Sequence, residues 1–270
     1  MGGILQATIY PMVVMGGLAV VFALMLGIAS RVFYVYVDPK VKAVEELLPG
    51  ANCGGCGFAG CSDCAAAIVA GKAPVTACVA CGTDIHEQIA QILGKTVEVK
   101  EKEVAHIMCQ GTKDKAKRRF QYMGIEDCRA AVVVAGGDKE CQYGCLGLGT
   151  CVRSCPFGAL SMGENGIPVV DRDKCTGCGT CVRVCPRGIP KLLPVSQKIV
   201  TVCNSHDAPP VVKKLCEVGC LGCGICKKVC PEKAIELENF LSVVDPSKCT
   251  LCGKCIEKCP TGAIRQILPG

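Results

Sequence analysis

Cys220-Leu-Gly-Cys223-Gly-Ile-Cys226-Lys-Lys-Val-Cys230-Pro231 is the stretch on which the reading of this chain turns. It has the form C-x2-C-x2-C-x3-C-P. The form returns at Cys249, Cys252, Cys255, Cys259 and Pro260, and at Cys175, Cys178, Cys181, Cys185 and Pro186. A looser version, Cys141, Cys145, Cys151, Cys155 and Pro156, precedes the last of these with spacings x3, x5, x3. The segments GIPVVDRDKC and FLSVVDPSKC each lead into the second run of a pair, so the runs form a tandem repeat. Three thiolates so close in sequence can surround one compact inorganic body if the backbone turns tightly. Gly177, Gly179, Gly222, Gly224 and Gly253 allow that turning.

Such runs are the bacterial ferredoxin signature for [4Fe-4S] clusters, and the Cys before Pro ligates the other cluster of its pair. One site is therefore expected from Cys220, Cys223, Cys226 and Cys259, and its partner from Cys249, Cys252, Cys255 and Cys230. In the upstream pair, Cys175, Cys178, Cys181 and Cys155 form one expected site. Cys141, Cys145, Cys151 and Cys185 form the other. Structural zinc is the competing occupant of four thiolates. Zinc ribbons split their ligands into distant C-x2-C knuckles, and the Cys-Pro ending has no role there.

The composition agrees. The chain has 270 residues and 26 Cys, but no Trp, five Tyr and six Phe. Ordinary core material is thin, so the Cys-rich parts are expected to depend on metal ligation for their fold. These spacings suit a reducing compartment better than disulfides. No C-x-x-C-H is present, so attached c-type haem is not indicated. The net charge of +6 lies in residues 141–270, where 16 Lys and Arg face 10 Asp and Glu. That excess can steer an acidic partner, or offset the negative charge of ligated clusters. Without a basic stripe interleaved with aromatics, nucleic acid is not an expected partner.

Residues 1–30 carry no charge, and Ile4–Ala29 is almost wholly apolar, long enough to cross a bilayer core of about 30 Å. Arg31, Lys40 and Lys42 follow, with Phe33, Tyr34 and Tyr36 at the interfacial level. The expectation is a single-pass anchor in the plasma membrane with the rest of the chain cytoplasmic. A signal peptide would need a positive n-region and a shorter apolar run.

Val41–Leu48 reads as a short amphipathic helix ended by Pro49-Gly50. Next comes Cys53-Gly-Gly-Cys56-Gly-Phe-Ala-Gly-Cys61-Ser-Asp-Cys64, then a helix over 65–70 stopped by Gly71, then Cys78 and Cys81. Gly55–Gly60 matches G-x-G-x-x-G without the strand that a nucleotide site needs. The segment ANCGGCGFAGC, with a later Cys, resembles the small four-iron domain of the B subunits of Rnf complexes, which are membrane-bound, ion-translocating ferredoxin:NAD+ oxidoreductases. An N-terminal membrane helix and downstream ferredoxin units, the loose run among them, extend the likeness over nearly the whole chain. The resemblance implies that Cys53, Cys56, Cys61 and Cys78 ligate one [4Fe-4S] cluster. Cys64 and Cys81 then fall outside the set, although spacing leaves open that either replaces Cys61 or Cys78.

The remaining thiols are Cys109, Cys128, Cys203 and Cys216. HIMCQG and KIVTVCNS each end an apolar stretch on a Cys, and a second Cys follows each. If those two strands pair, the four thiols converge on an extra metal or cluster site. A helix over 85–93 stopped by Gly94 and an alternating strand TVEVKEKEV over 96–104 are also expected. Lys113–Arg119 reads as a solvated helix face. His86, His106 and His206 stand alone and are assigned no role.

The expected fold is α+β: an anchor (1–30), a small, mainly helical 4Fe-4S domain (31–84), and a linker or insertion (85–140). Two bacterial-type 2[4Fe-4S] units (141–190 and 216–270) follow, joined by a connector (191–215). Each unit should form a βαβ repeat with a helix after the Cys-Pro. Five clusters follow, with no acid–base constellation for catalysis. The resemblance implies an electron-transfer subunit fed by reduced soluble ferredoxin. Its partners would be flavin- and NAD-binding and integral membrane subunits. The alternatives are a polyferredoxin-type carrier of another membrane oxidoreductase and a zinc-stabilised interaction protein.

Overall fold

The computed structural model of the chain describes residues 2–33, 36–96 and 101–267. Helix α1 spans Gly2–Val32. It is one unbroken helix, and Val13, Leu18, Phe22, Leu24 and Leu26 are all more than half exposed. Its Met12–Val32 part has the length and apolar composition to cross a membrane. Nothing in the Met12–Val32 part packs into a core, so that part is not a core helix of the described residues. Phe33 and Tyr36 are exposed at its end, and Tyr34 lies outside the described residues.

Helices α2 (Pro39–Leu47), α3 (Cys61–Val69) and α4 (Thr83–Leu93) share one core built on Val44, Ile68 and Ile89. Asp38 caps α2 by accepting the Lys40 N–H at 2.8 Å, and Pro39 sets its first turn. Gly94, at φ 63°, ends α4. The helix expected to open the insertion therefore packs on the small Cys-rich unit, and the boundary expected at residue 84 falls inside it. Its periodic apolar face needs a partner, and α2 and α3 supply one.

The expected strand over 96–104 lies partly outside the described residues. The observed strand β1 is Glu103–Ile107. After it come α5 (Cys128–Val133), α6 (Thr150–Arg153), β2 (Leu160–Met162), β3 (Pro168–Val170), α7 (Thr180–Val184) and β4 (Pro190–Pro194). The downstream repeat is β5 (Ile199–Thr201), α8 (Pro209–Leu215), α9 (Ile225–Val229), β6 (Ile235–Glu238), β7 (Leu241–Val244), α10 (Lys254–Glu257) and β8 (Ile264–Gln266).

Every pairing among these strands is antiparallel, so the expected βαβ units are not what forms. β2 pairs with β3 and β6 with β7, while β4 takes β1 as partner and β8 takes β5. Each repeat thus completes itself with a strand from upstream of its own Cys runs. The short helices α6, α7, α9 and α10 precede the Cys-Pro rather than follow it. The residue before a proline is driven out of the α region, so the fourth Cys of each run ends the helix. The strands expected to pair with each other, leading to Cys109 and Cys203, lie instead in two different two-stranded sheets.

The run Lys113–Arg119 is not a helix. It opens with a turn over 113–115 and continues as a strap that bridges to both repeats, Ala116 against Cys216 on one side and Arg118 against Lys139 on the other. Arg118 also pairs with buried Asp138 at 2.6 Å.

Two features of this packing give measurable expectations. At Gly222 (φ 60°) an added Cβ would lie 2.5 Å from the Phe240 carbonyl oxygen, and at Gly177 (φ 71°) 2.5 Å from that of Glu103. The left-handed backbone alone costs a non-glycine residue about 1–2 kcal/mol. Gly222→Ala should destabilise the downstream repeat by at least that much, read as faster iron release to a chelator. His106 in β1 is 5% exposed, and burial, then the Arg172 charge, pull its pKa down to about 4. A base whose folded pKa is depressed leaves stability intact above about pH 6.5 and erodes it as pH falls, by about 3 kcal/mol at pH 4. His106→Phe should remove that part of the acid sensitivity in parallel denaturant titrations at pH 7 and pH 4.

Candidate iron-sulfur sites

Short loops and helix starts bring the thiols together. One cavity of about 330 Å³ is lined by Cys220, Cys223, Cys226 and Cys259. A second, of about 290 Å³, is lined by Cys155, Cys175, Cys178 and Cys181. Both combine three thiols of one run with the Cys before Pro of the paired run. Cys230, Cys249 and Cys252 lie near Cys255, a third group of the same kind. In the small unit a cavity of about 330 Å³ gathers Cys53, Cys56, Cys61 and Cys78 together with fully buried Cys64. Asn52 Oδ1 accepts the Cys61 N–H at 2.8 Å and fixes the start of α3 there. Cys81 does not line that cavity.

The loose run differs from its expected grouping. Cys145, Cys151 and Cys185 line a cavity of about 400 Å³ with Cys128, not with Cys141. Cys128 opens α5, and its N–H donates to Thr150 Oγ1 at 2.7 Å, which ties it to the helix carrying Cys151. Cys141 instead lines a cavity of about 440 Å³ with Cys109, Cys203 and Cys216. The expected extra grouping therefore exchanges Cys128 for Cys141.

The repeat itself carries a signal for this exchange. Cys141-Gln-Tyr-Gly-Cys145-Leu-Gly-Leu-Gly-Thr-Cys151 aligns without a gap on Cys216-Glu-Val-Gly-Cys220-Leu-Gly-Cys223-Gly-Ile-Cys226. Cys145 is then the first ligand position and Cys141 the counterpart of Cys216. Leu148 stands where Cys223 would be, and Cys128 fills that place from outside the run. The backbone agrees: Gly147 and Gly149 (φ 74° and 70°) repeat Gly222 and Gly224 (φ 60° and 73°).

The surroundings suit sulfur ligands. Backbone N–H groups of Ala105, Ile189 and Ala234 donate to the sulfurs of Cys175, Cys185 and Cys230, each at 3.4 Å. Burial, reinforced by the neighbouring Cys109, pushes the Cys145 thiol up to about 12, and burial with neighbouring thiols does the same to Cys181. Buried thiols packed together ionise only with a compensating cation, which ligated iron supplies. Among the described residues no group of three or more His, Cys, Asp or Glu is placed to hold a single metal ion. Four thiols around one cavity are the donor set that a [4Fe-4S] cluster takes.

The groups adjoin one another in a row. At Gly55 an added Cβ would lie 3.6 Å from Cys53 Sγ and 3.4 Å from Cys178 Cβ, so the small unit abuts the upstream repeat. Cys151 shares a core with Cys155, Cys175 and Cys181. The Cys145 N–H donates to Cys109 Sγ at 3.4 Å. Cys203 packs with Cys220 and Cys259, and Cys259 with Cys230, Cys249 and Cys255.

These features define an iron-sulfur protein with several ferredoxin-like centres. A 4Fe-4S dicluster domain matches residues 140–189, 4Fe-4S binding domains match 220–234 and 242–265, and an Fe-S cluster family matches 48–80. The chain is 49% identical to the B subunit of the proton-translocating ferredoxin:NAD(+) oxidoreductase complex of Clostridium ljungdahlii, over 98% of this chain and 95% of that one. It is 47% identical to the B subunit of the ion-translocating oxidoreductase complex of Methanosarcina acetivorans, over 93% and 95%. With the B subunit of the Na(+)-translocating ferredoxin:NAD(+) oxidoreductase complex of Acetobacterium woodii the identity is 43%, over 96% and 78%. The chain belongs to this family, the B subunits of Rnf-type ion-translocating oxidoreductase complexes. It is an iron-sulfur electron-transfer subunit of an oxidoreductase.

Proposed function

We propose that this chain takes electrons from a reduced soluble ferredoxin at its downstream end and relays them toward flavin- and NAD-binding subunits at the membrane. The observation that carries the reading is the unbroken row of thiol groups from Cys252 to Cys53. Bound [4Fe-4S] clusters supply one-electron chemistry, and neighbouring clusters exchange electrons. The chain's own residues set the spacing of the sites, exclude water from the buried sulfurs and donate N–H groups to them. Five clusters are proposed on this basis. Four are held by Cys220/Cys223/Cys226/Cys259, Cys230/Cys249/Cys252/Cys255, Cys155/Cys175/Cys178/Cys181 and Cys128/Cys145/Cys151/Cys185. The fifth is held by Cys53, Cys56, Cys61 and Cys78.

The proposed division of the chain is an anchor helix, a small helical 4Fe-4S domain that includes α4, and two tandem ferredoxin-like repeats joined by the strap. The Lys and Arg residues after the anchor support a cytoplasmic placing of the clusters, by the positive-inside rule.

The downstream end suits an acidic donor. Cys223 and Cys252 are exposed there, with exposed Lys227, Lys228, Lys254 and Lys258 within six residues of them in sequence; exposed Glu232, Glu236, Glu238 and Glu257 lie in the same repeat. Lysines beside the exposed sulfurs raise the encounter rate with a negative partner and make it salt-dependent. Rapid mixing with a reduced acidic ferredoxin tests this. Lys227→Glu/Lys228→Glu/Lys254→Glu should slow reduction about tenfold at low salt and flatten the salt dependence. An unchanged rate and salt slope would place the donor elsewhere.

A further inference from the structure

We infer that Cys109, Cys141, Cys203 and Cys216 ligate a sixth [4Fe-4S] cluster, seated where the two ferredoxin-like repeats meet. This cluster is additional to the five proposed above and uses none of their ligands.

The four thiols line one cavity of about 440 Å³, the same scale as the cavities of the regular runs. They come as two equivalent pairs. Cys109 and Cys203 each lie two residues beyond the strand that its repeat borrows, β1 or β5. Cys141 and Cys216 each lie four residues before the first ligand position of their repeat. Each repeat therefore contributes the same half of the site, and the strap over 113–119 binds the halves together by pairing with both.

The walls stay bare where side chains would crowd the cavity. A Cβ on Gly111 would stand 3.1 Å from Ala116 Cβ and 3.4 Å from Cys216 Sγ. At Gly144 and Gly219, equivalent positions in the two repeats, it would meet Lys139 Cδ at 2.9 Å and Val212 Cγ1 at 2.6 Å, and all of these residues line the cavity.

Charge points the same way. Lys139 is 2% exposed, and its Nζ donates to the carbonyls of Gly111 at 2.5 Å and Cys145 at 2.6 Å. Among the described residues it makes no ion pair; the neighbouring Asp138 is taken by Arg118. A buried ammonium without an anion is costly. A [4Fe-4S] core held by four thiolates carries a net negative charge, and Lys139 lies between this cavity and the one at Cys145. On binding, the four thiols release four protons and the preformed core from the cell's cluster supply takes their place as cation.

Position gives the site its use. It fills the interval between the Cys145 group of the upstream repeat and the Cys220 group of the downstream one. Cys145 N–H touches it on one side and Cys203 packs on Cys220 on the other.

The test counts cofactors in the full-length chain, purified anaerobically in detergent and fully reconstituted. Native mass spectrometry, iron and acid-labile sulfide should give six clusters, about 24 iron and 24 sulfide. Cys109→Ser/Cys203→Ser should lose four of each, and Cys220→Ser, as reference, should lose four from a different site. Loss in the reference variant but none in Cys109→Ser/Cys203→Ser would overturn the inference alone. So would a wild-type count of five, or one zinc in place of the sixth cluster, neither of which depends on any variant folding. Loss in neither variant would overturn the ligand reading of the regular runs as well.

Discussion

Cys128→Ser is expected to cost the protein one cluster from the upstream repeat, whereas Cys141→Ser leaves that cluster in place. The reason is geometric. Cys128 shares the cavity of Cys145, Cys151 and Cys185, and Cys141 faces a different one. Losing one of four thiolates leaves an iron open to solvent or lost. The centre should degrade to a three-iron form or disappear, with about a fifth of the visible sulfur-to-iron absorbance if five clusters contribute and less if there are more. The repeat alignment sharpens the expectation. Leu148 occupies the position of Cys223, between glycines with matching backbone angles. Cys128→Ala/Leu148→Cys should therefore restore the lost centre by returning the run to its regular form. Iron, sulfide and the reduced-state EPR signal of the three variants are the checks. Cys141→Ser should lose its cluster from the Cys109 cavity instead, so that the double variant Cys128→Ser/Cys141→Ser loses two; loss of the same single centre in both variants, with no further loss in the double variant, would contradict the grouping.

That grouping also marks how far residue spacing can be read. The regular runs bring their own thiols together because three of the four lie in one short loop. At Cys145 the spacing points to Cys141, the nearest upstream Cys, whereas Cys128 lines that cavity, brought there by the contact of α5 with Thr150. The strand pairings are hidden for a similar reason. β1 and β5 are short apolar stretches whose partners, β4 and β8, lie far along the chain. The apolar face of α4 is legible as a face, but the neighbour it covers is not. His106 carries no motif at all, and its burial follows only from the β1–β4 pairing.

Removal of residues 1–35 is expected to release the chain from the membrane with its clusters intact. The helix over Met12–Val32 buries none of its length against the rest of the chain. Each fully buried Val, Leu or Phe side chain contributes about 1.5–3 kcal/mol, so the helix contributes tens of kcal/mol to insertion. Full-length protein expressed without partner subunits should stay in the pellet through high salt and alkaline carbonate. The truncated chain should appear in the supernatant with the same visible spectrum per polypeptide. Full-length chain washed off by carbonate, or truncated chain that still pellets, would contradict an anchoring role for α1.

Conduction along the chain requires a row of sites close enough together to exchange electrons, from exposed Cys252 to Cys53. EPR of the fully reduced, anaerobic full-length protein reads this directly. Adjacent reduced clusters should couple, giving broad, split, fast-relaxing spectra that no sum of isolated centres reproduces. A spectrum that resolves into narrow, independent, slowly relaxing signals would mean the centres stand too far apart, and the chain could not carry electrons along its length.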